Sequence, residues 1–157
     1  MKRCSKFYLH TKKIKQEKSD EIYVYGSKKS LKKLMRLSLS ERKRLFRERL
    51  RTIAKLYVNK LNAKVNLRIW KMKKLGSYHP STNTVVLSLY LSMLPHDLIE
   101  YVILHEITHK FERKHNKRFY SLISKVYPNY SEYEARLRKL WPLVIRKALF
   151  SNLFDKV

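Results

Sequence analysis

The chain of 157 residues contains one cysteine, two glycines, four prolines and only twelve acidic residues, and each scarcity excludes something. With Cys4 alone, no internal disulfide can form and no cysteine cluster can hold a metal. No glycine-rich loop is present to cradle phosphate groups, which weighs against a dedicated nucleotide enzyme. Apolar runs never approach the roughly 18 residues of a membrane span. The opening stretch Met1–His10 also lacks the apolar centre of a signal peptide. A soluble, cytoplasmic protein with no membrane partner is expected. Acids are outnumbered by 37 lysines and arginines, giving a net charge of +25.

That charge is unevenly spread. Residues 1–60 hold twenty basic and five acidic residues, whereas residues 96–157 hold twelve and seven. Solubility needs far less excess charge, and mixed signs serve it better. Such a field attracts polyanions, and nucleic acid is the foremost candidate, ahead of acidic proteins and anionic membrane surfaces.

With 44% hydrophobic residues, the chain can build one domain with a real core. Residues 1–37 read as a basic segment, partly strand-like, with apolar patches at Phe7-Tyr8-Leu9 and Ile22-Tyr23-Val24-Tyr25 before Gly26. Lys28 to Arg36 reads as a charged connector. Residues 38–157 read as the main domain. Ser38 or Ser40 opens a helix over 40–61, in which Leu45, Phe46, Leu50, Ile53 and Tyr57 recur at helical steps. Its other face carries Arg42, Lys43, Arg44, Arg47 and Arg51, a candidate ridge for tracking phosphates. Alternation over 64–72 predicts a strand, and residues 84–89 predict a second one antiparallel to it, joined by the turn-like stretch Gly76–Asn83. Helices are expected over about 96–113, about 116–126 and from Ser131 onward, where Pro142 threatens a kink.

The helix over 96–113 carries the chemistry. Residues 105–109 read His-Glu-Ile-Thr-His, and His115 follows six positions later. Side chains at i and i+4 share one helix face, so His105 and His109 can both reach one Zn²⁺. Glu106 then lies where it can take a proton from a water attacking a carbonyl or phosphoryl centre. The apolar run Leu98–Leu104 marks this helix as central, and buried polar groups there need partners; a metal supplies one. On a continuous helix His115 points away from the first pair, so the helix must break for it to return. Glu132 and Glu134 on the next long helix are the rival third ligands. Helix, short antiparallel sheet, metal helix and covering helices together describe a small α+β zincin-like domain.

Ile99–His109, His115–Tyr120 and Tyr127-Pro128-Asn129-Tyr130 resemble the YgjP-like metallopeptidase family over roughly residues 40–141. That family is related to the SprT and WLM metalloproteases, which act on DNA-attached proteins. The resemblance implies His105, His109 and His115 as ligands of a single zinc ion and Glu106 as the base. Two departures stand out: Leu75-Gly76-Ser77-Tyr78 replaces the family's usual Trp-Gly-Ser-Cys, and Leu87-Ser88 replaces Leu-Asn. Tyr78 and His79 lie near where a hydrogen-bond donor to the transition state is wanted. The reading is a zinc-dependent metalloprotease-like hydrolase of peptide bonds, drawn by its basic surface to DNA-bound protein. Its rivals are a metal-dependent nucleotide or phosphate-ester hydrolase and a non-enzymatic nucleic-acid-binding protein braced by zinc.

Overall fold

The computed structural model describes residues 21–24 and 27–155. Cys4, the Phe7–Leu9 patch and the Tyr25–Gly26 pair lie outside the described residues. Strand β1 (Glu21–Val24) pairs antiparallel with β2 (Ser27–Ser30), so Ile22, Tyr23 and Val24 of the expected strand-like patch lie in a paired strand. The stretch expected as a connector is ordered: β2 leads directly into a short helix, α1 (Leu31–Met35). Leu34 explains why, since it is buried against Phe46 and Leu89 in the smaller of two core clusters.

Helix α2 (Leu39–Lys60) starts at Ser38, whose hydroxyl accepts from the Glu41 backbone N–H while Glu41 reaches back to the Ser38 N–H. This reciprocal capping satisfies two backbone donors that the first turn leaves without partners. Phe46, Leu50, Ile53, Ala54, Tyr57 and Val58 bury its apolar face.

The sheet differs from expectation. Strand β3 (Asn66–Trp70) pairs with β5 (Thr84–Ser88) in parallel, with Asn66 opposite Thr84 and Trp70 opposite Ser88. The stretch expected to be only a turn contains strand β4 (Gly76–His79), which takes the antiparallel place beside β5. The sheet is therefore mixed, in the order β3-β5-β4. The physical reason lies in the connections. Pro80–Thr82 forms one 3₁₀ turn and Asn83 adopts a left-handed conformation (φ 47°), closing a tight hairpin that can only be antiparallel. The longer connection after Trp70 lets β3 reach the far side of β5. Asn83 secures the corner by donating to the Lys64 carbonyl (2.7 Å) and accepting from the Tyr78 hydroxyl (3.0 Å). As the central strand, β5 is buried on both faces at Thr84, Val85, Leu87 and Ser88.

A 3₁₀ segment, Leu89–Met93, leads to α3 (His96–Thr108), followed by α4 (Lys117–Ser124) and α5 (Tyr130–Phe150). Helix α3 passes through the larger core cluster, with Leu98, Ile99, Tyr101, Ile103 and Ile107 all buried. An ion pair from Arg136 to Asp97 (2.5 Å) fastens α5 to the first turn of α3. Helix α5 begins at Tyr130 rather than after a Ser131 cap, and it continues through Pro142. Past α5, Leu153 and Phe154 turn back into the smaller cluster, where the rings of Phe46 and Phe154 meet edge-on at 5.1 Å.

Candidate metal centre

Helix α3 stops at Thr108, a turn earlier than its apolar pattern suggests, and His109 occupies the C-cap. Tighter bonds follow, from the backbone N–H of Lys110 to Ile107 (3.0 Å) and of Phe111 to Thr108 (2.9 Å). The Glu112 carboxylate accepts from the Lys114 N–H (3.2 Å), and Asn116 caps α4 through Phe119 (3.1 Å). This compact turn reverses the chain and returns His115 to the face carrying His105 and His109.

The three imidazoles converge. Their ring centroids are 5.1, 4.9 and 4.8 Å apart in the pairs 105–109, 105–115 and 109–115. One nitrogen from each lies within 4.8 Å of the others, and the Nε2 atoms of His105 and His115 are 2.9 Å apart. Nitrogens bound tetrahedrally at about 2.0–2.1 Å would sit about 3.3 Å apart, so small rotations suffice. His109 Nδ1 lies 3.1 Å from the Glu112 carbonyl oxygen, which can only accept. Nδ1 therefore carries the proton and Nε2 offers its lone pair to the cluster, an outer hydrogen bond typical of metal-binding histidines. Phe119, fully buried, supports all three rings at centroid distances of 4.8, 4.7 and 4.8 Å. Its position within the apolar pattern of α4 marked it only as core.

Burial and the neighbouring imidazoles push His105 down to about 3, and burial also lowers His109. Both rings are thus neutral at physiological pH, with lone pairs available to a metal. Glu106 is buried beside them, and desolvation pushes its carboxyl up to about 7. Its position depends on Gly76 of β4. A Cβ there would stand 2.8 Å from Glu106 Cγ, closer than real Cβ contacts come, and a tight 3.1 Å from Oε1. The small residue at this edge strand lets the carboxylate lie directly against the sheet. Gly76 was legible in the sequence as turn chemistry but not as the neighbour of Glu106, since that contact joins residues thirty positions apart.

A cavity of ≈ 510 Å³ opens beside His105 and Glu106, walled by Leu75, Tyr101, Leu137 and Trp141. Glu134 also borders it and accepts from the Tyr101 hydroxyl (3.2 Å), while Glu132 accepts from the Asn129 amide (3.2 Å). Neither glutamate belongs to the histidine cluster. Tyr78 is committed to Asn83, and His79 shares a hydrogen bond with Ser77 (3.1 Å). The structure brings neither into the cluster.

Among the nominated cations, Arg42 must be corrected. It is 6% exposed, and its guanidinium donates to the carbonyls of Leu153 (2.9 Å) and Leu37 (2.7 Å), so phosphate cannot reach it. Its position four residues before Phe46 put it on the apolar stripe, a signal available in the sequence. Lys43 is half-buried, and Arg44, Arg47 and Arg51 are exposed.

A helix bearing paired histidines, laid across a short mixed sheet and covered by further helices, defines a small zincin-like metallopeptidase fold. The chain belongs to the YgjP-like metallopeptidase family, whose domain model matches residues 5–140. The fold is similar to two crystal structures of metallopeptidase zymogens, each with a TM-score of 0.50. One is jannalysin of Methanocaldococcus jannaschii, 24% identical, with the match covering 57% of this chain and 94% of that one. The other is abylysin of Pyrococcus abyssi, 22% identical, covering 58% and 94%. Among curated proteins, none matches the chain. Within the described residues, no helix is long and apolar enough to cross a membrane.

Proposed function

We propose that this protein is a zinc-dependent endopeptidase, with His105, His109 and His115 as ligands of one zinc ion and Glu106 as general base. The observation that carries the reading is the convergence of three imidazoles next to a buried carboxylate. When bound, zinc polarises the scissile carbonyl and lowers the pKa of the attacking water toward about 7. Glu106 takes the proton from that water and delivers it to the departing amine. A peptide lies along β4, the sheet edge that packs on Glu106, and backbone pairing with that edge holds it extended. The cavity walled by Leu75, Tyr101, Leu137 and Trp141 receives an apolar side chain next to the bond being cut. The basic surface draws the enzyme to protein substrates on nucleic acid, a reading supported by the net charge of +25.

Glu106→Gln tests the assignment. The variant keeps its metal, measured by elemental analysis, and loses turnover of casein by at least about 100-fold. Full activity in that variant rejects Glu106 as the base. Loss of metal in His109→Ala and His115→Ala supports the ligand set. Chelator-sensitive hydrolysis of nucleoside triphosphates, with none of casein, would replace the peptidase reading with a phosphate-ester one.

A further inference from the structure

Helix α2 spends its basic residues in two ways. Arg42 and Arg49 point inward, and their guanidinium groups donate to carbonyls, those of Leu153 and Leu37 for Arg42 and those of Ser92 and Leu94 for Arg49. Arg47, Arg51 and Lys55 form an outward stripe at four-residue steps, about 6 Å apart along the axis, comparable to the spacing of successive phosphates. Across from this stripe runs β3, the sheet edge away from Glu106, with Arg68 and Trp70 on its exposed side. The two elements enclose a groove of ≈ 390 Å³, lined by these four cations and Trp70 over an apolar floor that includes Leu67 and Leu87. Among the described residues no carboxylate lines it. The ion pairs Lys71–Asp155, His96–Glu100 and Arg136–Asp97 lie elsewhere.

Trp70 distinguishes among polyanions. Trp70 is 66% exposed, an unfavourable placement for so large an apolar residue unless a flat partner covers it. An acidic peptide satisfies the cations but brings no planar face of its own, and a sulfated sugar offers only the C–H face of its rings, whereas a nucleobase stacks a full π-face on the indole. In a double helix the bases are already stacked on one another, so only an unpaired strand presents them. We infer that the groove between α2 and β3 binds single-stranded nucleic acid, with Arg47, Arg51, Lys55 and Arg68 on the phosphates and Trp70 under a base. The inference rests on the nucleic-acid part of the proposed function and locates it on the sheet edge opposite the metal centre. A strand held there leaves the β4 edge free for a peptide.

Fluorescein-labelled oligothymidylate and oligouridylate 12-mers, titrated with the full-length protein by anisotropy, test this. The wild type binds both, or one in preference, more tightly than a blunt duplex. Its log-affinity falls with log-salt at a slope of about −3, from about −0.7 for each of four phosphates. Arg51→Glu with Arg68→Glu weakens binding about 100-fold, whereas Lys125→Glu with Arg146→Glu, an equal charge change at the end of α4 and on α5, costs less than about threefold. Trp70→Ala weakens the oligonucleotides about tenfold and leaves heparin, which has no bases, unchanged. Equal losses from the two charge-reversal pairs would overturn the groove while leaving nucleic-acid recruitment standing. Equal affinity for polyglutamate, with no effect of Trp70→Ala, would overturn it in favour of an acidic-peptide surface. No binding of any oligonucleotide by the wild type would remove the recruitment reading as well. Retained metal content and melting temperature in each variant show that the fold is intact.

Discussion

Gly76 lies directly against Glu106, and this contact exposes the proposed base to the smallest change in the sheet. A methyl group at position 76 would overlap Glu106 Cγ at 2.8 Å, and the backbone of a paired strand cannot retreat from it. Gly76→Ala therefore displaces the carboxylate without touching a histidine. Displacements near 1 Å cost on the order of 100-fold in rate. The expected outcome is a drop of roughly 10- to 100-fold in kcat/KM with metal content unchanged, read by kinetics and elemental analysis on the same preparation. Loss of metal in this variant would show that Gly76 acts on the ligands instead. His115 illustrates the opposite case at the same scale: its spacing after His109 named it as a candidate, yet helical geometry alone turned it away. Only the early stop of α3 and the Glu112–Asn116 turn return it to the cluster.

Between elements, a tyrosine cluster ties α2 to the segment after α4 and to α5. The Tyr57 hydroxyl donates to Tyr127 (3.1 Å), Tyr127 meets Tyr101 edge-on at 5.5 Å, and Tyr133 stacks on Tyr101 at 5.2 Å. Burial pushes Tyr57 up to about 12, and burial raises Tyr127 as well. In the unfolded chain a tyrosine releases its proton near pH 10, while folded Tyr57 keeps it until about pH 12. The folded state thus binds more protons across that window, and stability falls as pH rises through it. Tyr57→Phe removes this titration. Its loss of stability between pH 10 and 12 should be shallower than the wild type's, by at most about 3 kcal/mol, after a cost of about 1 kcal/mol at neutral pH for the lost hydrogen bond. Parallel pH profiles in chemical denaturation would count against the assignment. Element identities were largely legible: the capping sequence Ser38–Glu41, the steps of Phe46, Leu50 and Ile53, and the alternation of Leu67 and Ile69 each act over a few residues. Strand direction was not legible, because it depends on which connection closes first, and the tight corner at Asn83 gave the antiparallel place to β4.

Across the whole molecule, two core clusters divide the work. The larger surrounds α3 and positions the histidines, while the smaller joins α1, the start of α2, the segment before α3 and the end of α5. Phe154→Ala opens the smaller cluster and should cost about 3–5 kcal/mol, seen as a lower denaturation midpoint. Metal content and kcat/KM at temperatures well below unfolding should stay within about twofold, since Phe154 packs on Phe46 and Tyr90 and not on the metal centre. A collapse of metal binding would show that the two clusters act as one. The sequence by itself determined that His105 and His109 share a face with Glu106 between them, because a four-residue step is a local property of any helix. It likewise determined the excess of positive charge, which is additive along the chain. Tertiary structure alone decided that His115 completes the cluster, that Gly76 admits Glu106 to the sheet edge, and that β3 runs parallel to β5. Each of those depends on closing a loop between distant residues, where packing and connection length outweigh any local preference.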